Sequence, residues 1–230
     1  MTGWVFHHIL QLDSGAAKAG HSKSIAIFRF EMPKKKSIFD LLKEKRLTLA
    51  SSSPRRAEIL TREKVKFEIK IPTGYEEENK FSDPVTHVLE LSRRKAQSVA
   101  EKVENGIILG ADTIVVLDGE ILGKPKNEGY ALFFLKKLSG RMHRVYTGIT
   151  LINKSTGKTI SDYAQTKVKF NQLNEQKIQN YIATGEPMDK AGAYGIQGMG
   201  SFLVDHIEGS LDNVIGLPTE KLQDMLNRIV

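Results

Sequence analysis

The chain has 230 residues, 40% hydrophobic and 27% charged, with a formal net charge of +7. That length and apolar content support one large domain or two small ones with a packed core, and argue against disorder. The absence of cysteine excludes disulfides, thiolate metal sites and cysteine nucleophiles. No run of about eighteen apolar residues offers a membrane span, and no secretory signal opens the chain, so cytoplasm is the expected compartment.

The charge is uneven. Residues 1–36 hold six Lys/Arg and two Asp/Glu, a net +4 that leaves +3 for the rest. So mildly basic a remainder suits a small polyanionic substrate better than stable nucleic-acid binding. Residues 13–24 are rich in Gly, Ala and Ser, Lys34-Lys35-Lys36 is a charge run, and Met32 offers an alternative start. Residues 1–36 therefore read as a poorly ordered basic extension, and residues 37–230 as a single domain.

From Leu47 onward, strands and helices alternate. Residues 47–51 read as a short buried strand, Ser53 as a helix N-cap and Pro54 as the first residue of a helix reaching about Thr61. Residues 67–71 form a second strand, followed by the acidic run Glu76-Glu77-Glu78. Ser82 or Asp83 caps a long helix opening at Pro84, with an apolar stripe that includes Val88, Leu89, Ala96, Val99 and Val103. The apolar residues 107–109 lead into Asp112, which places that carboxylate at the carboxyl end of a buried strand. Apolar residues resume at 114–117, and Asp118-Gly119 turns the chain back through Glu120–Leu122. A helix from about Glu128 to Leu138 ends at Gly140. Residues 141–153 and 158–170 make a long hairpin around Gly157. Asn174 caps a helix carrying Ile178, Tyr181 and Ile182, residues 202–207 form a strand, and Pro218 opens the last helix. Early alternation followed by a long hairpin predicts a mixed α/β protein on a twisted sheet.

Three dense segments carry candidate chemistry. In Ser51-Ser52-Ser53-Pro54-Arg55-Arg56 a helix begins directly after a strand. Unpaired backbone N–H groups, the positive end of the helix dipole, serine hydroxyls and two guanidinium forks make such a segment a ready phosphate site. It is not the Walker pattern, and alone it reads as a capped helix with surface arginines. Asp112 can hold a hard divalent cation or take a proton from water; alone it reads as a turn aspartate. In residues 187–198, Gly192, Gly195 and Gly198 recur every third position, which suits a bent loop whose backbone approaches a ligand. Gln197 in that loop offers a donor and an acceptor to a planar polar edge such as a nucleobase. Asp189 and Lys190 read as a charge pair that shapes the loop. The histidines have neither metal-site spacing nor a nucleophile elbow beside them, and His143 and His206 read as strand residues that fill or line the sheet.

Together with Leu122-Gly123-Lys124-Pro125, these segments resemble the Maf family of nucleoside triphosphate pyrophosphatases, from about Leu47 to about Leu226. The resemblance implies an elongated, two-lobed, inosine triphosphatase-like α/β fold with the active site in a central cleft. It implies Asp112 as proton acceptor and, with Glu76, as ligand of Mg²⁺ or Mn²⁺; Glu77 stays open as the alternative to Glu76. Arg56, Lys95 and Lys124 match residues that the family places near the phosphates, and Ser51 belongs to the same phosphate-binding segment. Arg55, Thr113 and Gln197 match the triplet associated with dTTP and UTP, including modified pyrimidine nucleotides, rather than with 7-methyl-GTP. The implied reaction yields a nucleoside monophosphate and pyrophosphate, and a homodimer is implied as well. The family's link to septum formation keeps a second function open, the binding of a partner or nucleic acid.

Overall fold

The computed structural model describes residues 36–74 and 81–230. The extension expected over residues 1–36, apart from Lys36, lies outside the described residues, as does the acidic run Glu76-Glu77-Glu78. The first element is a short helix, α1 (Ile38–Leu42), closed by a capping box in which Ser37 and Asp40 each accept the other's backbone N–H at 3.1 Å. The strand β1 (Leu47–Ala50) then feeds α2 (Pro54–Arg62), with Pro54 at the first helical position and Ser53 as N-cap. The Ser53 side chain makes no capping bond; its backbone N–H instead donates to Ser51 Oγ at 3.1 Å. A short strand, β2 (Phe67–Ile69), precedes α3 (Pro84–Ala100), which Asp83 caps by accepting the Thr86 N–H at 2.8 Å.

The chain continues through β3 (Ile107–Leu117), β4 (Glu120–Leu122) and α4 (Glu128–Leu138). The hairpin β5 (Met142–Asn153) and β6 (Thr159–Phe170) leads to α5 (Glu175–Ile182). A run of short 3₁₀ turns ends at Leu203, where β7 (Val204–Glu208) begins. This strand starts two residues later than the sequence suggests, because residues 198–203 wind into a 3₁₀ turn. Two helices, α6 (Leu211–Ile215) and α7 (Thr219–Ile229), finish the fold.

Among the described residues, seven strands form one mixed sheet in the order β2-β1-β3-β5-β6-β7, with β4 also paired to β3. Strand β1 runs parallel to β2 and β3; the remaining pairings are antiparallel. Along one edge of β3, the register with β1 ends at Gly110, and the register with β4 begins at Val115. Among the described residues, positions 111–114 thus have a strand neighbour, β5, on one edge alone. This corrects the expected position of Asp112. It lies in the middle of an eleven-residue strand rather than at its end, because β3 continues as an antiparallel partner of β5 after its parallel neighbour has stopped.

Two large apolar clusters pack along the sheet. One gathers Leu49, Leu60, Leu109, Leu151 and Leu226; the other gathers Leu117, Leu135, Leu138, Phe170 and Tyr181. A smaller cluster seats Ala96 and Val99 of α3 on Ala50, Ile108 and Ile152. Two strand glycines let α3 approach the sheet closely. A Cβ on Gly110 would stand 2.3 Å from the Ser92 carbonyl oxygen, and one on Gly148 2.3 Å from that of Val88. His143 fills the sheet, buried on β5 against Phe170 and Tyr194; His206 lies on β7 but is exposed. Among the described residues, no helix is long and apolar enough to cross a membrane.

Candidate active site

A cleft of about 1090 Å³ opens where the β3 edge is left uncovered. Ser51, Arg55, Arg56, Lys95, Asp112, Thr113, Lys124 and Gln197 all line it. Every predicted site residue that the structure describes therefore faces one space; Glu76 lies outside the described residues. Alternation along β3 sends neighbouring side chains to opposite faces of the sheet, so Asp112 meets α3 while Thr113 meets α2 and the α6 region.

On the first face, Lys95 Nζ donates to Asp112 Oδ1 at 2.6 Å. The lysine is 8% exposed and the aspartate 7%, so this is a buried ion pair and not a solvated helix surface. The close seating of α3 at Gly110 is what brings the lysine within reach. The second carboxylate oxygen, Asp112 Oδ2, is buried and has no hydrogen-bond partner among the described residues. A buried carboxylate oxygen left unpaired is costly, and here it lines a cleft large enough for a ligand to satisfy it.

On the other face, Arg56 is 8% exposed, which corrects the picture of a surface arginine. Its Nε donates to the Gly216 carbonyl at 2.9 Å, Nη1 to Ser51 Oγ at 2.9 Å and Nη2 to Thr113 Oγ1 at 3.1 Å. The contacts continue in one direction. Thr147 donates its hydroxyl proton to the Asn213 carbonyl at 3.0 Å, so in the 3.0 Å contact between the two threonines Thr113 is the donor. Thr113 thus accepts from Arg56 and has spent its only proton on Thr147. Toward a ligand it can act only as an acceptor.

Arg55 leans across to the 3₁₀ turns, where its Nη1 donates to Asp189 Oδ2 at 3.0 Å. Asp189 Oδ1 accepts from Lys190 Nζ at 2.7 Å, the pairing expected from sequence. Burial works against the charge of the Asp189 carboxylate, but hydrogen bonds from Lys190 and Arg55 outweigh it and hold its pKa below the ordinary value. Lys124 enters from the loop after β4 with Lys126 beside it, and α4 adds Tyr130, Phe133 and Phe134 to the wall. Sequence reasoning missed these aromatics, together with the Arg55–Asp189 pair and the Thr147, Asn213 and Gly216 support for Arg56. The supporting partners lie 134 residues from Arg55 and 160 from Arg56, distances over which no local pattern carries a signal.

The sequence profile described as Maf-like protein matches residues 46–229. The chain belongs to the Maf family. A Thermoanaerobacter sp. (strain X514) protein named dTTP/UTP pyrophosphatase is 48% identical over 184 residues, covering 80% of this chain and 96% of its own length. A Dictyoglomus thermophilum protein of the same name is 47% identical over 187 residues, covering 81% and 97%. One from Clostridioides difficile (strain 630) is 48% identical over 183 residues, covering 79% and 94%. Among solved structures, the Staphylococcus aureus Ham1 protein aligns with a TM-score of 0.45 and 14% identity, over 80% of this chain and 99% of its own.

Proposed function

We propose that this Maf-family chain is a nucleoside triphosphate pyrophosphatase acting on dTTP and UTP, and on pyrimidine nucleotides modified at the base. The observation that carries the reading is Asp112. It is a buried carboxylate with one oxygen held by Lys95 and the other unpaired among the described residues, facing a cleft whose walls carry Arg55, Lys124 and Lys126. The relatives named dTTP/UTP pyrophosphatase support the substrate assignment.

In the proposed reaction Asp112 Oδ2 takes a proton from water, whose oxygen forms a bond to the α-phosphorus. The bond from that phosphorus to the bridging oxygen breaks, and pyrophosphate leaves with the electron pair. Lys124, a mobile point charge on a long stem, offsets charge on the departing pyrophosphate. Lys95 keeps the Asp112 carboxylate oriented toward the cleft. The unpaired Oδ2 suits a divalent cation, and Mg²⁺ or Mn²⁺ characteristically takes one or two carboxylates with phosphate and water oxygens. Asp112 and Glu76 are the residues proposed to hold it, and when bound it would polarise the phosphoryl oxygens. The acceptor left on Thr113 suits the ring N–H of thymine or uracil, a donor that cytosine lacks at the same atom.

The test is pyrophosphate release from dTTP, UTP, CTP, GTP and 7-methyl-GTP, with and without Mg²⁺ or Mn²⁺. Metal-dependent release favouring dTTP and UTP is the expected result; near-equal rates on 7-methyl-GTP would refute the substrate assignment. Asp112→Asn should lose most turnover at equal folded fraction by circular dichroism. A function in binding alone would leave the cellular effect of that variant intact.

A further inference from the structure

Gln197 reaches the cleft from a stretch of backbone that belongs to no strand or α-helix. What holds it lies behind it. Glu186 Oε1 accepts the Tyr181 hydroxyl at 2.9 Å, and Glu186 Oε2 accepts the backbone N–H of Met199 at 3.1 Å. The Tyr181 hydroxyl in turn accepts the N–H of Gly195 at 3.0 Å. Both ends of residues 195–199 are thus tied to one carboxylate, one end directly and the other through a phenol, and Gln197 is the middle residue. A Cβ on Gly195 would stand 3.0 Å from Glu186 Oε1, and one on Gly198 3.3 Å from Oε2. These glycines let the loop wrap the carboxylate, and Gly195 also lines the cleft.

The same residue is connected to the opposite wall. Lys190 Nζ donates to the Glu186 carbonyl at 2.6 Å and to Asp189, and Asp189 holds Arg55. The chemistry of base reading makes that connection consequential. A glutamine amide offers one donor and one acceptor, and by turning over it matches the edge of thymine or uracil as well as that of cytosine. An arginine is donor only and has no such freedom. It favours the O4 acceptor of thymine or uracil over the N4 amino donor of cytosine. Discrimination then depends on the distance and angle between the two side chains.

We propose that Glu186 is a positioning residue for base selection: it fixes the loop bearing Gln197 relative to Arg55, so that thymine and uracil are preferred to cytosine. The inference rests on the nucleotide reading above, with the base between these two side chains. Glu186 does not line the cleft, so it acts through the loop and not by touching the base. The experiment compares Kd for non-hydrolysable α,β-imido analogues of dTTP and dCTP, in the presence of Mg²⁺. The proteins are the wild type, Glu186→Ala, Tyr181→Phe, Gln197→Ala and the double variant Glu186→Ala/Gln197→Ala. Tyr181→Phe removes the tie to Gly195 with little change of volume, and serves if Glu186→Ala does not fold. The wild type should favour dTTP, and Glu186→Ala and Tyr181→Phe should each reduce that preference about tenfold. Adding Glu186→Ala to Gln197→Ala should not change the ratio further. An unchanged ratio in a folded single variant, a further loss in the double variant, or no preference in the wild type would overturn the inference. Because the readout is binding, an enzyme that discriminates but releases no pyrophosphate would refute the proposed reaction and leave this inference standing.

Discussion

Replacing Lys95 by Met, alone and together with Asp112→Asn, isolates the pair at the centre of the cleft. Nζ and Oδ1 are 2.6 Å apart, and each side chain is 10% exposed. At an effective dielectric near 20, unit charges at that separation attract by roughly 6 kcal/mol before desolvation is counted. Burial of both charges offsets much of this, so the pair is nearly neutral against an uncharged pair of similar shape. Breaking it is a different matter. Lys95→Met leaves the Asp112 charge buried without the ammonium that holds it, at a cost of about 3–5 kcal/mol, and Asp112→Asn takes from Lys95 the carboxylate it donates to. The double variant removes both charges of this pair together and should cost well below the sum of the singles. Urea unfolding at neutral pH, with slopes compared to verify a common two-state transition, gives the coupling energy. Additivity within about 0.5 kcal/mol would refute the reasoning, because it would mean that the two side chains do not depend on each other.

Three further variants probe the supports of the site. Arg56→Lys replaces a fork that reaches Ser51, Thr113 and Gly216 with a single ammonium. With two charge-assisted bonds lost, unfolding free energy should fall by roughly 2–3 kcal/mol, measured in urea. Gly110→Ala drives a methyl to 2.3 Å from the Ser92 carbonyl oxygen, a contact that only backbone movement relieves. It should cost about 1–3 kcal/mol and lower Tm by about 2–4 °C for each of them, read by calorimetry. His143 is buried, which lowers its pKa from 6.5 to about 4, so between those values the unfolded chain binds the proton that the folded one refuses. Stability is therefore fully present above pH 6.5 and falls by up to about 3 kcal/mol on descent to pH 4. His143→Gln, which can still meet the Tyr194 hydroxyl, should flatten that part of the pH–stability curve.

What could be read in advance was local. Ser53-Pro54, Asp83-Pro84 and Asn174 mark helix starts within a few residues, and the Asp118-Gly119 and Gly157 turns set the two hairpins. Two short helices escaped, α1 and α6, because five residues carry too little periodicity to register, although the Ser37 and Asp40 capping box was present in the sequence. The candidate residues could be gathered by motif, but their surroundings could not. Nothing around Lys95 in Arg93-Arg94-Lys95 distinguishes it from its two half-buried neighbours, which both pair with Glu90. Its burial follows from Gly110, fifteen positions away, which lets α3 settle onto the sheet.

The misplacement of Asp112 shows why the site lies where it does. A carboxylate at a strand end sits on a chain already leaving the sheet, where its backbone is free to move. Asp112 is held on one edge by β5, with Gly148 opposite it, while the other edge is open because β1 has ended and β4 has not yet begun. The strand that carries the group is therefore rigid, and only the partner strand is interrupted. A gap of four residues between β1 and β4 opens both faces of β3 to one cleft, so Asp112 on one face and Thr113 on the other line the same space. Consecutive residues on a fully paired strand could not do this, since the sheet itself would separate them. The adjacent pair Asp112-Thr113 thus needs the interrupted sheet, and that interruption depends on where β1 and β4 pair rather than on any residue near Asp112.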